Sequence, residues 1–182
     1  NWDDVRREMG IVEDSFLNIG HEITYKICEK GLGDRIAFKW QGKAGETEEY
    51  SFADLDRYSN LVANMLIGLG AQKGDRAFTY LERIPELYFS AIGIWKAGLV
   101  FGPLFSSFGP DAVRDRLADC GARVLITQGN LLGNVLKVKD ALPELRFLII
   151  VGKRKGTEYD PEDVGNTRGL SLISFEDGIK YS

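Results

Sequence analysis

Trp95-Lys96-Ala97-Gly98-Leu99-Val100-Phe101-Gly102-Pro103-Leu104-Phe105-Ser106-Ser107-Phe108 reads as the end of a helix, a tight turn, a buried strand and an aromatic loop. Gly98 supplies the positive φ that closes a helix. Leu99, Val100 and Phe101 are uniformly apolar, which predicts a strand covered on both faces. Gly102-Pro103 predicts the end of regular pairing there, because proline has no backbone donor. A loop leaving the carboxyl end of a buried parallel strand is where α/β proteins place ligands.

Outward from this stretch the same unit recurs. Strands are predicted to start near Arg76, Leu99, Arg123 and Arg146, roughly two dozen residues apart, the length of one strand, one helix and two short loops. Pro85 and Pro110 stand where first-turn prolines belong, and Gly98 and Gly121 end their helices. A third helix is predicted from about Asn130 to just before Pro143. Apolar stripes run through Val113, Leu117 and Cys120, and through Leu132, Val135 and Leu136. The run is βαβαβαβ, so the fold class is α/β, a mainly parallel, flavodoxin-like twisted sheet of βαβ units.

Ahead of this run lies an N-terminal extension. A short helix is predicted over residues 3–9, and a longer one over 18–30 with Ile19, Ile23 and Ile27 as a buried stripe and Gly31 closing it. Residues 36–40 and 48–50 read as a β-hairpin around a glycine-containing turn. Ser51 and Asp54 form a capping-box variant that opens the next helix, with Leu55, Tyr58, Val62, Met65, Leu66 and Leu69 at helical spacing. Beyond Val151 the pattern stops. Residues 152–169 are polar and glycine-rich and predict a mobile loop. A last short strand is predicted over 170–175, after which the chain runs to Tyr181-Ser182 without a further cap or closing element. The whole of 1–182 reads as a single α/β domain.

Composition narrows the function. The 182 residues are 44% hydrophobic and 27% charged, enough for a proper core and too apolar for general disorder. The net charge is −4, and no basic stripe offsets it, so a nucleic-acid footprint is absent. Lys153-Arg154-Lys155 reads as a solvated loop. Cys28 and Cys120 read as small buried hydrophobes of a reducing compartment. The only histidine, His21, reads as a helix-surface residue without a nucleophile motif. Residues 87–105 are apolar but contain Lys96, Gly98, Gly102 and Pro103, which rejects a membrane span. No signal peptide is read, and Asn1 is not expected to be a native start.

Catalytic chemistry is missing from the sequence. There is no phosphate loop and no dinucleotide fingerprint; Gly68 to Gly74 comes nearest, with the wrong spacing after a helix. No metal-ligand spacing is present. The carboxylate pairs Asp3-Asp4, Glu48-Glu49 and Glu162-Asp163 read as solvated charges.

Several segments, in order and spacing, resemble the AMP-forming acyl-CoA synthetases of the adenylate-forming enzyme family. Lys96-Ala97-Gly98 followed by Gly102-Pro103-Leu104-Phe105 is the signature stretch. Glu49-Tyr50-Ser51-Phe52-Ala53-Asp54-Leu55, Ile84-Pro85-Glu86-Leu87-Tyr88 and Cys120-Gly121-Ala122-Arg123-Val124-Leu125-Ile126-Thr127 also resemble it. Trp2-Asp3-Asp4-Val5-Arg6 and Asn18-Ile19 resemble its acetate-activating branch. The resemblance covers almost the whole chain. It implies an N-terminal fragment of a longer cytoplasmic ligase that joins acetate, or another short carboxylate, to coenzyme A with ATP and magnesium.

The family's signature loop for ATP phosphates, its aromatic-Thr-Glu motif, its ribose-binding Asp and its C-terminal lysine match nothing here and are expected after Ser182. The resemblance therefore implies no catalytic and no metal residue in this chain, which is expected to be inactive alone. Its partners are a small-molecule carboxylate and the remainder of the same polypeptide, with no nucleic acid and no membrane span. The candidate cleft-lining residues are Gly102, Pro103, Phe105, Ser106 and Phe108, as a wall near the acyl or pantetheine passage; Ser106 and Ser107 also read as turn caps. Two other readings stay open: an autonomous nucleotide- or flavin-binding α/β domain, and a non-catalytic subunit that pairs with a separate catalytic chain.

Overall fold

Asn1 caps a short first helix, α1 (Trp2–Glu8): its side chain accepts from Asp3 N and Asp4 N, and Asp4 closes a capping box. The computed structural model describes residues 1–11, 17–160 and 169–180. The helix expected over 18–30 is broken. Helices α2 (Ile19–Glu22) and α3 (Tyr25–Ile27) flank Thr24, whose φ of −125° and ψ of −77° are not helical, and a π-type turn spans Cys28–Leu32. The predicted isoleucine stripe fails here: Ile19 is 54% exposed, whereas Gly20 and Thr24 are buried. Close approach is the reason. A Cβ on Gly20 would meet the Ile92 carbonyl at 2.9 Å, so only glycine lets this segment sit on the neighbouring helix. Thr24 Oγ1 lies 2.8 Å from the Gly20 carbonyl and 2.9 Å from Asp56 Oδ1.

Strands β1 (Ile36–Gln41) and β2 (Thr47–Ser51) form the expected antiparallel hairpin. Ser51 Oγ accepts from Asp54 N at 3.1 Å while the Asp54 carboxylate accepts from Ser51 N, which starts α4 (Phe52–Gly68). Then come β3 (Arg76–Leu81), α5 (Pro85–Lys96), β4 (Val100–Phe105), α6 (Pro110–Asp119), β5 (Val124–Gln128) and α7 (Gly129–Leu136). They are followed by β6 (Phe147–Val151) and β7 (Ser171–Ser174). A last helical turn, α8 (Phe175–Gly178), is capped by Ser174 and was not expected from the sequence. Pro85 and Pro110 occupy the first turns of α5 and α6, and Gly98 and Gly121 have φ of 75° and 59° after their ends. Residues 161–168 of the stretch read as a mobile loop, the pair Glu162-Asp163 and the end at Tyr181-Ser182 lie outside the described residues.

The large sheet is fully parallel, in the order β4-β3-β5-β6-β7. Numbered from its own first strand, this is the 2-1-3-4-5 order of flavodoxin-like sheets. Helices cover both faces. Ala77, Leu81, Ile126 and Ile149 pack under α4, α5 and α8, and Tyr80, Leu125, Leu148 and Ile150 pack under α6 and α7.

Two expectations about β4 are corrected. It lies at the sheet edge, so Val100 is 53% and Phe105 74% exposed rather than covered. Pairing also runs through Gly102 and Pro103, which sit opposite Phe78 and Thr79, and ends only at Phe105. An edge strand tolerates proline because half of its backbone groups have no neighbour to pair with. Gly102 is required by its neighbour, since a Cβ there would enter the Phe78 ring.

Candidate functional site at the carboxyl edge of the sheet

All five parallel strands end on one side, at Leu81, Phe105, Gln128, Val151 and Ser174. Between the ends of β3 and β5 the chain connections diverge, and such switch points leave a crevice. Gln128, 1% exposed, holds this point together. Its Oε1 accepts from Glu82 N at 2.7 Å and its Nε2 donates to Asn130 Oδ1 at 2.6 Å. On the outer side, Gly129 N donates to the Thr157 carbonyl at 2.9 Å. A Cβ on Gly129 would overlap the Thr157 and Glu158 carbonyls, so residue 129 has to be glycine.

The hairpin folds over the strand ends. Trp40 Nε1 donates to the Arg83 carbonyl at 2.6 Å, and Lys43 Nζ pairs with Glu82 at 2.9 Å. Between hairpin and strand ends lies a cleft of about 950 Å³. Arg154 forms part of its wall. Its Nε donates to both oxygens of Glu86, at 2.6 and 2.7 Å, and its Nη1 and Nη2 grip Glu48 at 2.8 and 2.9 Å. Nη2 also reaches Tyr50 Oη at 3.1 Å, and the guanidinium stacks 4.9 Å over Trp40. Tyr50 Oη donates in turn to Glu48.

Arg154 is therefore no solvated loop residue, although Lys153 and Lys155 beside it are exposed. The Glu48 carboxylate is likewise no free surface charge. Arg154 holds Glu48 below the usual carboxylate range. Burial pushes Glu86 the other way, up, even against the same arginine. Burial and the adjacent Glu48 carboxylate push the Tyr50 phenol up. Burial opposes the Arg154 charge, but the two carboxylates outweigh it and raise its pKa.

One cation facing two carboxylates is a structural clamp, in which each of the three guanidinium nitrogens of Arg154 already donates to a side chain of the protein. Arg83, Lys153 and Lys155 line the same cleft, with Glu46 and Glu82 among them. Such mixed charge suits a polar ligand and lacks the concentrated positive charge that adenylyl transfer needs. Among the described residues no group of three or more His, Cys, Asp or Glu could hold a metal ion. Burial raises the thiols of Cys28 and Cys120, which makes them poor nucleophiles.

The candidate residues read from the sequence divide. Ser106 lines the cleft. Phe105 and Phe108 meet edge-to-face, centroids 5.4 Å apart, and the Arg116 guanidinium lies 4.3 Å over the Phe108 ring. Gly102 and Pro103 lie in the body of β4. The sequence reading missed Gln128, Glu48, Glu86 and Arg154. Only Glu86 carried a signal, an acid among the apolar residues that open α5. The partners of Arg154 lie 68 and 106 positions away in sequence.

Comparison with known proteins adds the following. A family model described as AMP-binding enzyme matches residues 27–168. The chain is 33% identical over 165 residues to an acetyl-coenzyme A synthetase of Bacillus subtilis (strain 168), covering 90% of this chain and 26% of that protein. It is 33% identical over 134 residues to an acetyl-coenzyme A synthetase of Streptomyces coelicolor, covering 72% of this chain and 21% of that protein. Among solved structures, a Brucella canis acyl-CoA synthetase superposes with a TM-score of 0.75 at 22% identity, over 100% of this chain and 32% of that one. The chain thus spans about a quarter of the length of the curated relatives it matches.

Proposed function

The chain belongs to the AMP-binding enzyme family, and from that premise we propose that it is the N-terminal part of an AMP-forming acyl-CoA synthetase of the acetate-activating kind. The complete protein joins a short carboxylate to ATP, forming an acyl-adenylate and releasing pyrophosphate. The thiol of coenzyme A then attacks the acyl carbon, loses its proton and displaces AMP. ATP, magnesium and coenzyme A are bound largely by residues outside this chain, and the remainder of the same polypeptide is its partner. A cytoplasmic location belongs to the same proposal. No described helix is long and apolar enough to cross a membrane.

In this reading the chain is a scaffold that backs the adenylation cleft. The observation that carries it is the cleft itself: it lies where ligands bind in such sheets, yet its least exposed arginine, Arg154, is already matched by Glu48 and Glu86. Ser106, Phe105 and Phe108, with Gly102 and Pro103 behind them, wall the passage of the substrate chain. Isothermal titration of the 182-residue chain with Mg-ATP, coenzyme A and FMN tests this. The expected result is no binding to a chain that unfolds in one cooperative transition. The 2-1-3-4-5 strand order favours one rival, an autonomous flavin or nucleotide domain. One-to-one binding of FMN or ATP would establish that rival instead.

A further inference from the structure

The segment around α2 is amphipathic in the reverse sense. Gly20 and Thr24 are buried, whereas Leu17, Ile19 and Ile23 are 56%, 54% and 38% exposed. Its inward side holds on through polar atoms. Asn18 Nδ2 donates to the Trp95 carbonyl at 3.0 Å and to the Lys96 carbonyl at 3.2 Å. Thr24 Oγ1 meets the Asp56 carboxylate at 2.9 Å, and Lys96 Nζ donates to the same oxygen at 2.8 Å. A surface helix ordinarily turns its apolar side in and its polar side out. Scattered apolar side chains on a surface are normal, but Ile19 and Ile23 stand one turn apart, linked by the bond from Ile23 N to the Ile19 carbonyl. The segment cannot roll over to bury them. A Cβ on Gly20 would meet the Ile92 carbonyl at 2.9 Å and Lys96 N at 3.1 Å, so only glycine can face α5 here.

We infer that the outward face of Leu17, Ile19 and Ile23 is an interface, and that its occupant is apolar surface from the remainder of the same polypeptide. The inference rests on the synthetase reading above. The chain spans only 26% of the Bacillus subtilis relative, so in that reading most of the complete protein lies outside it. Three partly exposed side chains are too few for a stable dimer, which takes about 20–30 residues from each partner. A segment of the same polypeptide needs no such area, because its tether keeps its effective concentration high. The neighbouring charges Glu22 and Lys26 pair with each other at 3.6 Å, which suits an apolar partner. The face also lies ahead of residues 27–168, the part that the family model matches.

The test labels Ile19→Cys and, separately, Ile23→Cys with a maleimide, in the 182-residue chain and in the complete polypeptide. Trypsin cuts after Lys26, so mass spectrometry scores either site apart from Cys28 and Cys120. Both sites are expected to label fast in the 182-residue chain. In the complete polypeptide labelling should be roughly tenfold slower or more, because the reagent must wait for local opening. The slowing should not depend on protein concentration, and it should vanish in urea.

Equal rates in the two folded proteins would overturn the inference. Slowing that grows with protein concentration would overturn it too, by assigning the face to a second copy. Should Ile19→Cys fail to fold in the complete polypeptide, Ile23→Cys decides alone. Carboxylate-dependent exchange of pyrophosphate into ATP is measured on the same polypeptide before substitution. Its absence would sink the synthetase reading, while the labelling rates would still report whether the face is covered.

Discussion

Arg154 turns every guanidinium nitrogen toward the protein, and its side chain is only 20% exposed. Replacing it with methionine leaves Glu86, 13% exposed, and Glu48 facing each other without a cation. Arg154→Met should lose about 3 kcal/mol by urea denaturation at pH 7, the lower end for a broken buried pair because Glu48 is partly solvated. Its pH dependence should also differ. Glu48, Asp54 and Asp56 all sit below their ordinary pKa values. Arg154 does this for Glu48, and hydrogen bonds from Ser51 for Asp54; for Asp56, burial opposes the shift and Lys96 with Thr24 overcomes it. Each contributes stability that is present above its unfolded pKa of about 4 and is lost as the pH falls through its folded pKa. Glu86 has the opposite sign, because its raised pKa makes protonation favour the folded state. The parent chain should therefore weaken between about pH 4.5 and 3. The variant should weaken less, since its Glu48 is no longer held low. Parallel slopes for the two chains in urea titrations over that range would refute the clamp. None of this was legible in Lys153-Arg154-Lys155, because a charge run looks solvated until its distant partners are known.

At the scale of elements, short-range chemistry was legible and neighbourhood was not. Pro85, Pro110, Gly98, Gly121 and the Ser51–Asp54 box each act within one turn, and each stands where it was expected. The isoleucine stripe of residues 18–30 misled because glycine and threonine face inward at a close helix contact, which periodicity of apolar residues does not report. The same kind of contact fixes α4 against α5. A Cβ on Gly93 would stand 2.6 Å from the Val62 side chain and 2.9 Å from the Ser59 carbonyl. Alanine is the better helix former by about 1 kcal/mol. Gly93→Ala should nonetheless destabilise, by about 1–3 kcal/mol, because two buried helices must separate. A higher melting temperature for the variant by circular dichroism would show that the seam can yield.

For the molecule as a whole, fold class was legible because strands recur about two dozen residues apart and two successive βα units share the same proline and glycine punctuation. The edge position of β4 was not, since strand order depends on pairings that leave no local mark. The N-terminal segment shows how unevenly the parts are tied in. Helix α1 has no buried residue, whereas Asn18 Nδ2 donates to the Trp95 and Lys96 carbonyls and Thr24 meets Asp56. Deleting residues 1–11 should leave the unfolding free energy in water, from urea denaturation, within about 0.5 kcal/mol. Deleting through Thr24 should lower it by about 2 kcal/mol or more, with the hydrogen bonds to the charged Asp56 and to the end of α5 gone. Equal effects of the two deletions would contradict this division. The strand order has a consequence for biosynthesis. The first strand of the parallel sheet to leave the ribosome is β3; β4 joins one side of it, and β5, β6 and β7 then add outward on the other in the order they are made. Among the described strands none has to be inserted between two already paired, so this part of the nascent chain can extend its sheet at a free edge as synthesis proceeds.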